Sequence, residues 1–191
     1  VLDDYPRSGM AYLAFACEQS PTDSVNLRLA MTYALDRNRL VREEMEDTAS
    51  RVHGYYGLGQ WISEFIEYDE PEVEEYEAGE PTPEVTPEPD ILLSIPEMLE
   101  SLSVPFDVEK AAQLLEEDGW IYDAEGAPFE AGEGKLRHRE EDGGYKPLSL
   151  RMSVTKGNRV SGAIEALYQE TLPGLGVGLE VTEMSFPRIM D

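Results

Sequence analysis

The sequence predicts an α/β fold, a mixed sheet with flanking helices. Three observations carry that expectation. Residues 148–154 alternate apolar and polar side chains, residues 159–172 carry apolar side chains at helical spacing, and residues 177–181 alternate again. The order strand, helix, strand implies a parallel pair joined by a right-handed crossover. Residues 12–17 form a short apolar run, which suits a strand covered on both faces.

Taken in order, Tyr12-Leu13-Ala14-Phe15-Ala16-Cys17 is the first expected strand. Cys17 reads there as a small, buried, inert hydrophobe. Residues 18–24 are rich in turn formers, and Asp23 or Ser24 can cap a following helix. Leu27, Ala30, Met31, Ala34 and Leu35 then fall on one helical stripe, with Arg28, Thr32 and Asp36 off it. Asp36 can close this helix and cap a second, in which Leu40, Val41 and Met45 form a short stripe. Residues 46–63 read as a Gly/aromatic loop, containing Gly57 and Gly59 without the lysine that a phosphate loop needs.

Residues 64–90 are different material. They hold twelve acidic residues, and no Lys or Arg occurs from Val52 to Glu109. The Pro-rich run 81–89 favours extended polyproline backbone. Residues 64–104 as a whole are read as an acidic, Pro-rich insertion, with apolar character returning at 91–102. A capped helix follows: Asp107 at the N-cap, Phe106 stapled onto Ala111, and Val108, Ala111, Ala112 and Leu115 on the buried stripe. Gly119 can take the left-handed position that ends it, with Trp120 packing back. Residues 123–147 are a long polar connection, read as an extended hairpin loop. Its basic cluster, Lys135, Arg137, His138 and Arg139, sits among Glu133, Glu140, Glu141 and Asp142 and is expected to pair locally in solvent. Leu148 to Val154 is a strand with one buried face. Residues 155–158 turn, and residues 159–172 are a helix with Val160, Ala163, Ile164, Leu167 and Thr171 on one side. Pro173-Gly174-Leu175-Gly176 is expected to stop it. Val177, Leu179 and Val181 give the last strand.

Three of these stretches resemble a known family in sequence. The first carries Pro21, Asp23, Val25, Arg28, Ala30, Tyr33, Ala34, Leu35, Asp36, Arg37, Leu40 and Val41. The second carries Asp107, Glu109, Lys110, Ala111, Leu114, Leu115 and Gly119-Trp120. The third carries Leu148, Leu150, Gly157, Asn158, Ala163, Leu172, Gly176, Val177 and Val181. In this order they resemble the family 5 extracellular solute-binding proteins, the peptide- and nickel-binding subunits of ABC importers. Phe106, Val108, Tyr168 and Pro173-Gly174 depart from the family pattern. The resemblance implies part of a periplasmic-binding-protein-like (type II) lobe, with residues 1–191 a single partial domain from the front of the C-terminal lobe. It implies a parent protein outside the cytoplasm and lipid-anchored, with a peptide or small solute as ligand and an ABC permease as partner.

Composition narrows the classes further. The 191 residues carry 40 Asp and Glu against 15 Lys and Arg, a formal net charge of −25. Such a surface repels nucleic acid and anionic membranes. One cysteine excludes an internal disulfide and a cysteine zinc site. No apolar run approaches the roughly 18 residues of a membrane span. The start, Val1-Leu2-Asp3-Asp4, lacks Met and signal-peptide character, and reads as cut from a longer chain. The piece is expected to be monomeric.

Chemistry is sparse. His53 and His138 have no ligand-spaced partner, so no metal site or cofactor is expected, and no G-x-S-x-G nucleophile elbow occurs. An enzyme is therefore not expected. A hydrolase using paired carboxylates would need two converging acids in a pocket. An acidic interaction module, with residues 64–90 binding a cationic partner, is the alternative function. The candidate ligand-binding residues are Thr155, Lys156, Asn158 and Arg159. They lie beyond the carboxyl end of a strand and at a helix N-terminus, where α/β sheets present ligand sites and N–H groups favour anions. A plain turn and helix cap is the other reading of the same residues. In the family this region faces the cleft, and dipeptide-binding members use a basic residue early in the helix for the ligand carboxylate. That implies Arg159 here.

Overall fold

A computed structural model describes residues 10–46, 48–52 and 103–190. The chain divides into two compact units, residues 1–10 with 52–103 and residues 11–51 with 104–191. The expected Gly/aromatic loop beyond Val52, the acidic segment 64–90 and the apolar return at 91–102 lie outside the described residues, as does His53. All the described helices and strands belong to the second unit.

Helix α1, Val25–Tyr33, starts where Ser24 accepts a hydrogen bond from the Leu27 N–H. Its stripe is the expected one: Leu27, Ala30, Met31, Ala34 and Leu35 are all buried. Asp36 caps α2, Arg37–Arg39, which runs on as a π-helical turn over Leu40–Glu44. Helix α3, Val108–Glu117, is capped by Asp107 through the Lys110 N–H. It lies antiparallel to α1: the Asp107 N–H bonds the Tyr33 carbonyl at one end, and Ser24 donates to Asp118 at the other. Gly119 takes the left-handed conformation (φ 86°) and Trp120 is buried behind it, as expected.

The hairpin is β1, His138–Glu141, with β2, Gly144–Pro147, turned by Asp142 and Gly143, both at positive φ. Strand β3, Ser149–Thr155, pairs in parallel with β4, Gly178–Met184, from Ser149 opposite Gly178 to Thr155 opposite Met184. Helix α4, Arg159–Leu175, connects them, and a short α5, Phe186–Met190, follows β4. Leu150, Met152 and Val154 point into the core and Ser149, Arg151 and Ser153 out of it. Together α1, α3, β3 and α4 enclose one apolar cluster, in which Leu27, Leu115 and Leu148 are fully buried.

Five expectations need correction. Residues 12–17 are not a strand. The Ala16 carbonyl is taken by the Gln19 N–H and the Thr22 hydroxyl, so a turn claims it, and no described strand lies alongside. Leu13 and Phe15 still pack on the core while their neighbours face outward. Cys17, accordingly, is exposed. On α3 the buried face is Ala111, Leu114 and Leu115, whereas Val108 and Phe106 are exposed, because α1 crosses one face and leaves the first turn uncovered. Helix α4 does not stop at Pro173. It continues to Leu175 and ends at Gly176 (φ 72°), whose added Cβ would stand 2.4 Å from the Phe129 ring. Arg137 does not pair in solvent: at 6% exposure it is the buried cation of the described core.

Candidate functional site

Alternation along β3 brings the chain to the carboxyl end of the parallel pair at Thr155, which is half-buried. The ladder runs one step further, with the Lys156 N–H bonding the Met184 carbonyl at 3.0 Å. Gly157, at φ 70°, reverses the chain there. The Asn158 N–H then closes the turn on the Thr155 carbonyl, and its side-chain oxygen accepts from the Ser161 N–H at 3.0 Å. Asn158 is thus the N-cap of α4, and the plain turn-and-cap reading accounts for it. Lys156 is exposed beside it.

Arg159 opens α4, and its guanidinium donates to a Glu46 carboxylate oxygen at 2.9 Å. Both side chains are largely exposed, so the pair contributes little stability. The four sequence candidates are therefore adjacent on one turn, with two cations, one cap and one half-buried hydroxyl. Glu46 was not foreseen. It lies 113 residues from Arg159, at positive φ after the π-helical turn, and no local pattern signals such a contact.

Elsewhere a cleft of about 570 Å³ is lined by Asp123, Glu125, Pro128, Glu130, Lys135 and His138. Its polar groups serve the local fold. Asp123 accepts from the Glu125 and Ala127 N–H groups, and the His138 Nδ1 lies 3.0 Å from the Leu136 carbonyl. None of these residues belongs to the 155–159 turn. Among the described residues no group of three His, Cys, Asp or Glu side chains could hold a metal ion. No described helix is long and apolar enough to cross a membrane.

Arg137, which sequence reasoning placed in solvent, organises the hairpin instead. Its Nε donates to the Leu175 carbonyl at 2.9 Å and its Nη1 to the Trp120 carbonyl at 2.9 Å. Its Nη2 meets Glu116 at 3.2 Å, and the guanidinium lies 4.6 Å from the centre of the Phe129 ring. The role is structural: one planar donor set ties the ends of α3 and α4 to β1.

Comparison with known proteins gives the wider setting. Residues 1–189 match the family described as bacterial extracellular solute-binding proteins, family 5 Middle. No curated protein matches the chain. Among solved structures, the chain is similar to the oligopeptide-binding protein AppA from Bacillus subtilis, in complex with a nonapeptide: 17% identity, TM-score 0.58, over 92% of this chain and 26% of that one. It is similar to NikA from Brucella suis, in complex with Fe(III)-EDTA, at 17% identity and TM-score 0.57, over 92% of this chain and 26% of that one. A third is the mannohexaose-bound periplasmic oligopeptide-binding protein from Thermotoga maritima, at 18% identity and TM-score 0.56, over 91% of this chain and 25% of that one. These likenesses are of fold, a periplasmic-binding-protein-like lobe of type II, and the chain spans about a quarter of the length of each. With nearly every residue of the sequence inside the family match, and the parallel strand–helix–strand unit in place, the chain belongs to the bacterial extracellular solute-binding proteins of family 5.

Proposed function

We propose that this chain forms the front part of the C-terminal lobe of an extracytoplasmic, lipid-anchored substrate-binding subunit. That subunit captures a peptide or similar small solute and delivers it to an ABC permease. The family match over residues 1–189 is the observation that carries this reading. The work is done by binding: a ligand held more tightly by the closed than the open arrangement of two lobes shifts the population toward closure, and no covalent step is needed. The 155–159 turn is the ligand-facing element of this chain. Lys156 and Arg159 supply positive charge, and the free N–H groups of the first turn of α4 add to it. A ligand carboxylate is the group such a turn receives best. The exposed contact of Arg159 with Glu46 is weak enough for a ligand carboxylate to replace.

The test uses the full-length protein that carries this chain, incubated with a mixed peptide library and examined by native mass spectrometry. Bound peptides are expected, and Lys156→Gln with Arg159→Gln should weaken the best of them by about tenfold or more, since even one lost charge-assisted contact has that effect. Absence of any bound peptide or small solute overturns the transport reading. Unchanged affinity in the double variant moves the site away from this turn.

A further inference from the structure

We infer that this fold is tuned to high ionic strength, and that its stability rises with monovalent salt well beyond 0.15 M. The charge balance is the first observation: 40 acids against 15 bases in 191 residues. A chain so far from neutrality repels itself in the compact state. The second observation is how the scarce cations are used. Arg39 serves both Glu43 and Glu170, and Lys146 serves both Glu141 and Asp142. Arg137 and Arg139 are drawn onto Glu116 and Asp118 at the end of α3. Glu18, Glu125, Glu130, Glu133 and Glu183 are left exposed on the remaining surface, whereas Glu180 stands opposite Arg151 in the parallel pair and Glu109 lies in the first turn of α3, where negative charge is favoured.

The third observation is which base is used. Only four of the 15 are lysine, Lys110, Lys135, Lys146 and Lys156. Arginine forms forked pairs that bind two carboxylate oxygens, as Arg39 does with Glu170 at 2.6 and 3.2 Å. Forked geometry retains a directed contact where salt weakens a simple point-charge attraction.

Distance decides how much salt matters. The Lys146 ammonium lies 3.1 Å from Glu141 and 3.4 Å from Asp142, which holds those two carboxylates within about 7 Å of each other, closer than the roughly 8 Å Debye length at 0.15 M and on a scale that the roughly 3 Å length at 1 M screens. Repulsion between neighbouring carboxylates therefore survives dilute salt and is removed near molar salt. The exposed ion pairs weaken over the same range, but they contribute little to begin with. Relief of repulsion wins because acids exceed bases more than twofold.

Thermal unfolding of the full-length protein carrying this chain, in 0.15 M and 2 M sodium chloride, tests this. The comparison is with a variant carrying Glu18→Gln, Glu125→Gln, Glu130→Gln, Glu133→Gln and Glu183→Gln. General effects of the salt on apolar burial act on both proteins alike, so the difference isolates charge. The parent should gain about 10 °C or more between the two salts, and the variant about half as much. At 0.15 M the variant should be the more stable of the two. A parent that unfolds cooperatively only in 2 M salt supports the inference. Equal gains in parent and variant overturn it, as does a parent with no gain or with no cooperative transition in either salt.

Discussion

Arg137 concentrates more of the described structure than any other single side chain. Its three nitrogens meet two backbone carbonyls and one carboxylate, and its plane stacks on Phe129. Truncation would leave the Leu175 and Trp120 carbonyls without that donor in a site closed to water. Arg137→Ala should cost about 3 kcal/mol in urea unfolding, in the range for breaking a buried charged contact. Arg137→Lys should fall between, since one ammonium cannot span all three partners; a loss below about 1 kcal/mol for the alanine variant would show that the site relaxes or hydrates. Tyr168 is a second such residue. Burial pushes its hydroxyl well above the usual tyrosine range, and it donates to the Met31 carbonyl at 3.0 Å. That carbonyl is in the last turn of α1, where helices leave acceptors unsatisfied. Its neighbours are met by the Ala34, Leu35 and Asp107 N–H groups, so Tyr168 completes the set. Tyr168→Phe should lose about 1 kcal/mol, with the loss concentrated in hydrogen exchange at the end of α1. A phenylalanine nearly fills the same volume but cannot make this bond, and a leucine does neither.

Elements differ in how far the sequence reveals them. The stripe of α1, the caps Asp107 and Asn158, the left-handed Gly119 and the alternation of β3 are all local and legible, and the cap of α1 is legible down to Asp23 or Ser24, of which Ser24 serves. Residues 12–17 were not, because an apolar run states that side chains avoid water and says nothing about ladder partners. Here Thr22 and Gln19 divert the Ala16 carbonyl into a turn. The end of α4 is hidden for a related reason: Pro173 forfeits only its own bond back along the helix, the Leu172 and Pro173 carbonyls are met by the Val177 and Gly176 N–H groups, and Gly176 closes the helix against Phe129, 47 positions away in sequence. Gly176→Ala combines a strained positive φ with a Cβ only 2.4 Å from the Phe129 ring, and should destabilise by about 2 kcal/mol or more. The link between α2 and α4 has a pH signature. Hydrogen bonds from Arg39 hold the Glu43 and Glu170 carboxyls below the usual carboxylate range. A lowered folded pKa means that the contribution is complete above the ordinary glutamate pKa and fades as pH falls through the lowered one. Carboxyl carbon NMR should show both titrating below free glutamate, and Arg39→Gln should return them toward it. The candidate site shows the same division: its turn and cap were readable, and the Glu46 contact to Arg159 was not.

At the scale of the whole unit, one question is whether the pieces unfold together. The hairpin adds a small antiparallel sheet, while β3 and β4 form a parallel pair, the arrangement that most needs cover on its faces. Cover on the inner face comes from helices that are distant in sequence, and α1 and α3 are separated by more than 70 residues. Leu115 sits where these elements meet, fully buried in the same cluster as Leu27, Leu148 and Leu172. Trp120, five residues on, is anchored by Asp118 through its indole N–H and lies under Arg139. In a Trp61→Phe background it therefore reports on the junction of α3 with the hairpin, while far-ultraviolet circular dichroism reports on all the helices together, α4 the longest of them. Leu115→Ala should remove about 3 kcal/mol, the middle of the range for a leucine in a core that cannot collapse around the gap. If the cluster is one cooperative core, tryptophan fluorescence and circular dichroism should shift to lower urea together and by the same amount. If the hairpin and α3 are instead a separable subunit of structure, the fluorescence transition should move further than the circular dichroism, which keeps an unshifted part from α1 and α4. Coincident shifts would mean that the turn bearing Lys156 and Arg159 inherits its rigidity from the whole core, since β3 and α4, which hold it, are both walls of that cluster.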